Sequence, residues 1–228
     1  MNIDDAVAAA QEQAENVTQN AVAPVNTGGG QLAPAGGGAV DMSISGFLKA
    51  GGISPDRWLD IRDTGFRFDK NNKSVFESFT GTINFASGVK MFQGARIAKA
   101  DGTYEYLKTY DGRTEARSGQ AWAAALNDAA NRSTKPVSPY RGADILIELD
   151  TPVSQGKDKF DVGFKVGYTT AVTAFKPFQS FLATLLESGE VTVAPDGETM
   201  SGEVSVKVDH ETMKNANYEW SIAVFSKA

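Results

Sequence analysis

Tyr104, Tyr106, Lys108 and Tyr110 stand at alternate positions in the run YEYLKTYDGRT, residues 104–114. In a strand, alternate side chains share a face. Three phenol rings and an ammonium would then project together, with Glu105, Leu107 and Thr109 on the opposite side. Flat rings beside cations suit a ligand that itself carries flat rings and negative charge. The competing reading is a core face, because aromatic residues favour pleated surfaces for packing alone. The two readings part on one point, whether the tyrosines meet water.

The neighbourhood favours a polyanion. Residues 86–142 hold nine bases and five acids, and Lys90, Arg96, Lys99, Lys108, Arg113, Arg117, Arg132, Lys135 and Arg141 alternate with Phe92, Tyr104, Tyr106, Tyr110, Trp122 and Tyr140. Single-stranded nucleic acid is bound by cations that track its backbone and by rings on which its bases stack, at about 1–3 kcal/mol per base. The candidate binding residues are therefore Lys90, Phe92, Arg96, Lys99, Tyr104, Tyr106, Lys108, Tyr110, Arg113 and Arg117. Phe92, on the preceding strand, would extend the platform across a hairpin. Trp122 is assigned to helix packing.

Catalytic side chains are few. There is no cysteine and His210 is the only histidine, which excludes thiolate chemistry and His- or Cys-based metal clusters. A Ser-His-Asp triad would depend on His210 alone, and its setting, VDHETMK, reads as an exposed turn. Asp158 with Asp161, and Asp144 with Glu148, lack the spacing of a calcium loop and read as strand-edge charges. No glycine-rich run has the phosphate-loop pattern. The expectation is a non-catalytic protein without metal or cofactor.

These residues need a scaffold. The chain has 228 residues, 41% of them hydrophobic, and a net charge of −6. That is enough for one β-rich domain over 42–228. Residues 1–41 carry five acids and no base. They read as a flexible acidic arm, with a weak alanine-rich heptad seam over 2–21 and a Gly- and Pro-rich linker over 26–40. No stretch approaches the length of a membrane span and the N-terminus does not resemble a secretory signal. The expected setting is cytoplasmic, or within a virion. Asn16-Val17-Thr18 and Asn131-Arg132-Ser133 match glycosylation acceptors and are set aside for the same reason.

From Met42 the pattern is that of a folded domain. Ser54-Pro55 signals a short helix through Trp58. Strands are expected near 59–69, 74–85, 89–99, 103–110, 143–149, 160–168, 190–194, 202–209 and 217–226, separated by turn formers such as Asn71-Asn72, Ser87-Gly88 and Asp101-Gly102. Helices are expected over 118–132, capped by Ser118, and over 176–189, with Gly189 past its end. The last strand reads as the closing strand of a barrel. The fold class is mainly β with helical insertions, an antiparallel OB-like barrel or sandwich.

The run YLKTYDGRT, the Trp-bearing helix SGQAWAAALNDAA, then YRGADILIEL and YEWSIAVF, together resemble the layout of phage single-stranded-DNA-binding proteins with an OB-like barrel. The resemblance implies a cooperative binder of single-stranded DNA that acts in replication or recombination and can self-associate. The arm would then serve a replication or virion partner, or regulate binding itself. An acidic arm competing for basic residues predicts that deleting residues 1–41 tightens DNA binding at low salt, measured by oligonucleotide titration. The alternative reading is a virion structural protein, a capsid-decoration or tail component that assembles through the arm.

Overall fold

The computed structural model describes residues 52–170, 172–195, 199–215 and 219–228, all within the compact unit Asp41–Ala228. The expected arm, its linker and most of the Pro195-Asp196-Gly197 turn lie outside the described residues. The strands are β1 (Arg57–Trp58), β2 (Asp60–Arg62), β3 (Gly65–Arg67), β4 (Ser78–Asn84), β5 (Val89–Ala98), β6 (Tyr104–Thr109), β7 (Ser138–Leu149), β8 (Val153–Gln155), β9 (Asp158–Phe160), β10 (Lys165–Thr169), β11 (Thr192–Val193), β12 (Met200–Ser201), β13 (Glu203–Lys214) and β14 (Glu219–Lys227). The helices are α1 (Trp122–Arg132) and α2 (Phe175–Glu187).

Eight strands form one sheet in the order β1-β10-β7-β4-β13-β14, with β5 on β7 and β6 on β5. The branch has a local cause. β4 and β5 run along the same edge of β7, Thr82 opposite Glu148 and Val89 opposite Ile145. The chain kinks between them, yet the ladder continues, because Leu146 N–H donates to the Gly88 carbonyl at 2.6 Å. A Cβ at Gly88 would lie 2.8 Å from the Asn84 carbonyl oxygen, so the kink requires glycine. Beyond it β4 takes β13 on its free edge and β5 takes β6. The two halves diverge and the sheet curls into a half-barrel.

The main core lines the inside of this curl. Ile145 and Ile147 of β7, Val166 and Tyr168 of β10, Val206 and Val208 of β13 and Phe225 of β14 pack with the Phe66, Phe68 and Phe79 rings. α2 lays Phe178, Leu182 and Leu185 against them. A second, smaller cluster lies under α1, where Ala95, Ile97 and Leu107 meet Ala125 and Ala129. Alanine on the helix lets it approach the sheet closely.

Several expectations are corrected. Ser54-Pro55 opens no helix: Asp56 N–H donates to the Lys165 carbonyl and Leu59 N–H to Gly167, both at 2.8 Å, so 57–58 is a parallel edge strand. Pairing with β10 outweighs the local capping signal. Residues 59–69 are the β2–β3 hairpin and not one strand. Residues 160–168 divide into the end of β9 and β10, because Gly156 and Gly163 adopt positive φ in turns on either side of β9. Ser118 does not cap α1, which begins at Trp122 without a side-chain cap. Among the described residues β14 pairs with β13 alone and ends the sheet, so β14 does not close the curl as the expected last strand of a barrel would. His210 lies within β13, its Nε2 donating to the Arg62 carbonyl at 2.7 Å and its ring edge-on to Phe66. By contrast β5, β6 and α2 fall within two residues of the expected bounds.

Candidate nucleic-acid interface

β6 turns its tyrosines to water. Tyr104 is 45% exposed and Tyr106 53% exposed, while Leu107 and Thr109 are buried on the α1 side. Opposite residues on paired strands share a face. Arg96 stands opposite Tyr106, Gly94 opposite both Lys108 and Tyr140, and Phe92 opposite Gly142. One face therefore gathers Tyr104, Tyr106, Lys108, Arg96, Phe92 and Tyr140. The Arg96 guanidinium sits 4.8 Å from the Tyr104 ring centroid. Tyr106 meets Tyr140 edge-on at 6.3 Å, and Tyr140 meets Phe92 edge-on at 5.9 Å.

Two glycines make this packing possible. A Cβ at Gly94 would lie 2.4 Å from Cζ of Tyr140, and one at Gly142 would lie 2.4 Å from Cζ of Phe92. Each ring thus lies across the bare backbone of the neighbouring strand. Tyr140 is held upright for Tyr106. Phe92, 4% exposed, forms the floor beneath the platform, which corrects its expected place as an open stacking ring.

Asp144 of β7 organises the middle of the face. Its carboxylate is 1% exposed. Lys108 Nζ donates to both of its oxygens at 2.9 Å, Thr169 Oγ1 donates at 2.6 Å, and the Tyr110 hydroxyl donates as well. To reach it, Lys108 crosses the Phe92 ring at 4.4 Å. Asp144 is no strand-edge charge but the hub that ties β6, β7 and β10 together across β5. Burial first, then its bond to Asp144, raises the Tyr110 phenol far above its ordinary range. Burial, with the nearby Tyr106 and Asp144, pushes Tyr140 up to about 12. Both remain neutral at physiological pH.

After β6 the chain folds back along that strand's outer edge, Ala116 N–H donating to the Lys108 carbonyl at 2.8 Å. Two carboxylates shape this loop. Asp111 accepts from the amides of Arg113 and Thr114, each at 2.8 Å, which hold it well below the usual carboxylate range. Burial alone would raise Glu115, yet hydrogen bonds from Ser118 and Arg117 outweigh it and leave it lowered. These bonds fix the turn of the loop, which presents Arg113 and Arg117 to solvent.

The ten candidates divide accordingly. Tyr104, Tyr106 and Arg96 stand together on the open face, with Lys90 further along β5 opposite Asp144. Arg113 and Arg117 occupy the adjoining loop. Among the described residues the side chains of Lys90, Arg113 and Arg117 form no ion pair, and Arg96 only its ring contact. Lys108 is bound to Asp144, Phe92 is buried and Tyr110 is partly buried. Lys99 pairs with Glu105 at 3.6 Å, and Glu105 also takes Arg132, on the α1 side. Lys99 and Lys108 are thus neutralised within the protein.

Sequence reasoning missed Tyr140 and Asp144 as members of the site. Gly94 and Gly142 were the one available signal, since a glycine inside a strand marks where a neighbour can approach the backbone closely. Among the described residues no helix is long and apolar enough to cross a membrane. Set against protein-family models, curated proteins and solved structures, the chain matches none of them.

Proposed function

We propose that this chain is a non-catalytic protein that binds single-stranded nucleic acid, using the outer face of β6, β5 and β7 as the wall of an OB-like half-barrel. The observation that carries the reading is the pair of water-facing rings, Tyr104 and Tyr106, beside an Arg96 guanidinium with no carboxylate partner among the described residues. Alternate residues of a strand are about 6.6 Å apart, so the two rings can take two bases of one extended strand. Duplex bases are already stacked on each other, so the platform selects unpaired ones. Lys90, Arg96, Arg113 and Arg117 supply the cations for the backbone. The resemblance in sequence layout to phage single-stranded-DNA-binding proteins supports DNA as the ligand, and replication or recombination in the host cytoplasm as the setting.

The test is titration of labelled oligothymidine at several salt concentrations, with particle mass followed by light scattering. Each contacted phosphate on a single strand adds about −0.7 to the slope of log K against log salt. Four free cations therefore predict a slope no steeper than about −3. Tyr106→Ala should weaken binding by about 5- to 150-fold, the worth of one stacked base. Absence of binding at low salt, together with assembly into large closed or tubular particles, overturns this reading in favour of a virion structural protein.

A further inference from the structure

On the other side of the same strands, a cleft of about 390 Å3 opens between α1 and the β5–β7 pair. Trp122 and Leu126, one turn apart on α1, form one wall, and Pro139 forms another. Gln93 and Arg141 are direct cross-strand neighbours and both line the cleft. Both are exposed, and neither side chain has a hydrogen-bond or ion-pair partner among the described residues. Gly94 and Tyr140 also line it, and they are the residues on which the tyrosine platform is built. The cleft and the platform therefore adjoin through the same two positions of the sheet.

We infer that this cleft is a pocket for one unpaired nucleotide, its base against Trp122 and Leu126, its edge read by Gln93 and its phosphate held by Arg141. The inference rests on the binding reading above and deepens it by naming a second base site. The chemistry is specific to that ligand class. An indole with apolar walls accepts a flat heterocycle. A carboxamide offers one acceptor and two donors in a plane, matching the edge of a base. A guanidinium next to it matches a phosphate in fork geometry. A purely aliphatic ligand would leave Gln93 and Arg141 unused, and a simple anion would leave the apolar walls unused.

The full chain carrying Trp58→Phe and Trp220→Phe has Trp122 as its single tryptophan, since the sequence holds three. Trp58 is exposed; Trp220 packs against the main core, where phenylalanine keeps an aromatic ring and no Nε1 hydrogen bond among the described residues is lost. Oligothymidine and thymidine monophosphate are titrated against Trp122 emission. Saturable quenching is expected with both, at the strand's own binding midpoint for the oligonucleotide. In this background Arg141→Ala should weaken binding about 5- to 10-fold, and Gln93→Ala should alter the preference among dT, dC and dA homopolymers by about threefold or more. Both are surface changes that leave folding intact. If strands bind through Tyr106 while Trp122 emission and the Arg141→Ala variant show no change, the cleft is not a base site and the platform reading survives. If strands fail to bind but the mononucleotide quenches Trp122 in an Arg141-dependent way, the cleft stands and the platform reading falls. No quenching by either ligand overturns the cleft.

Discussion

Lys108 illustrates how a residue's neighbours decide its chemistry. On its strand it is a cation between two tyrosines, the arrangement a phosphate would meet. In the fold it lies over Phe92 and closes on Asp144, a carboxylate 1% exposed that also accepts from Thr169 and Tyr110. Its role is to keep that buried charge compensated. Removing one partner of such a pair leaves the other stranded, which costs about 3–5 kcal/mol when nothing else compensates. Two hydroxyl donors remain for Asp144, so Lys108→Ala should cost about 2–3 kcal/mol in urea unfolding. Lys108→Ala with Asp144→Asn should recover part of that loss, because the stranded charge is gone. Tyr106→Ala should show the opposite profile, with large loss of binding and stability nearly unchanged, since its ring is 53% exposed. Loss of oligothymidine binding by Lys108→Ala at full stability would show that its ammonium leaves Asp144 to meet phosphate.

At the scale of elements, the platform depends on strands that lack side chains at two crossings. Gly94 admits Tyr140 and Gly142 admits Phe92, each leaving no room for a Cβ. The clashing atoms at Gly94 belong to the far end of the Tyr140 ring, which can swing outward. Gly94→Ala should therefore lower stability by only about 1–2 kcal/mol while displacing Tyr140 from Tyr106. Its oligothymidine affinity should fall as far as that of Tyr140→Ala, and the double variant should be no worse than either single one. Additive losses in that cycle would separate the glycine from the tyrosine. The alternation in β6 was readable because period two is local, and Leu107 facing away from the tyrosines was already a sign of a second covered face. The start of α1 was not readable at Ser118. A positive φ at Gly119 and the bridge between Thr114 and Ala121 delay the helix by four residues. That bridge is a closure between loop ends, invisible to a capping motif.

The whole molecule responds to pH from both sides. Asp111 is held low by the amides of Arg113 and Thr114. Burial opposes ionisation of Asp60, but its hydrogen bonds from Arg67 and Arg62 prevail and lower it too. A carboxylate lowered in the folded state contributes stability above its unfolded value, about 4, and that stability is lost as pH falls through the folded value. Tyr140 and Tyr168 are both raised to about 12, chiefly by burial. Their contribution is complete below the unfolded value near 10 and is lost as pH climbs from there toward 12. The melting temperature should thus be level between about pH 5 and pH 10 and decline beyond either limit. A decline beginning near pH 7 would overturn this assignment of the pH dependence to the carboxylates and buried phenols.

What the sequence determined by itself were the features carried by spacing and composition. These are a mainly β domain with α1 and α2 among its described residues, the face-sharing tyrosines of β6, the apolar stripe of α2 and the concentration of bases in 86–142. Each rests on a periodicity of two or 3.6 residues or on a count, so each is complete within a short window. The tertiary structure alone decided that the tyrosines face water, that Asp144 claims Lys108 from 36 residues away, and that the sheet curls open at the β4–β5 kink with β14 at its end. It also decided that Tyr140 and Trp122 lie on opposite sides of one strand pair. Those outcomes depend on which strands become neighbours, and strand pairing is a contest among distant segments that no local pattern records.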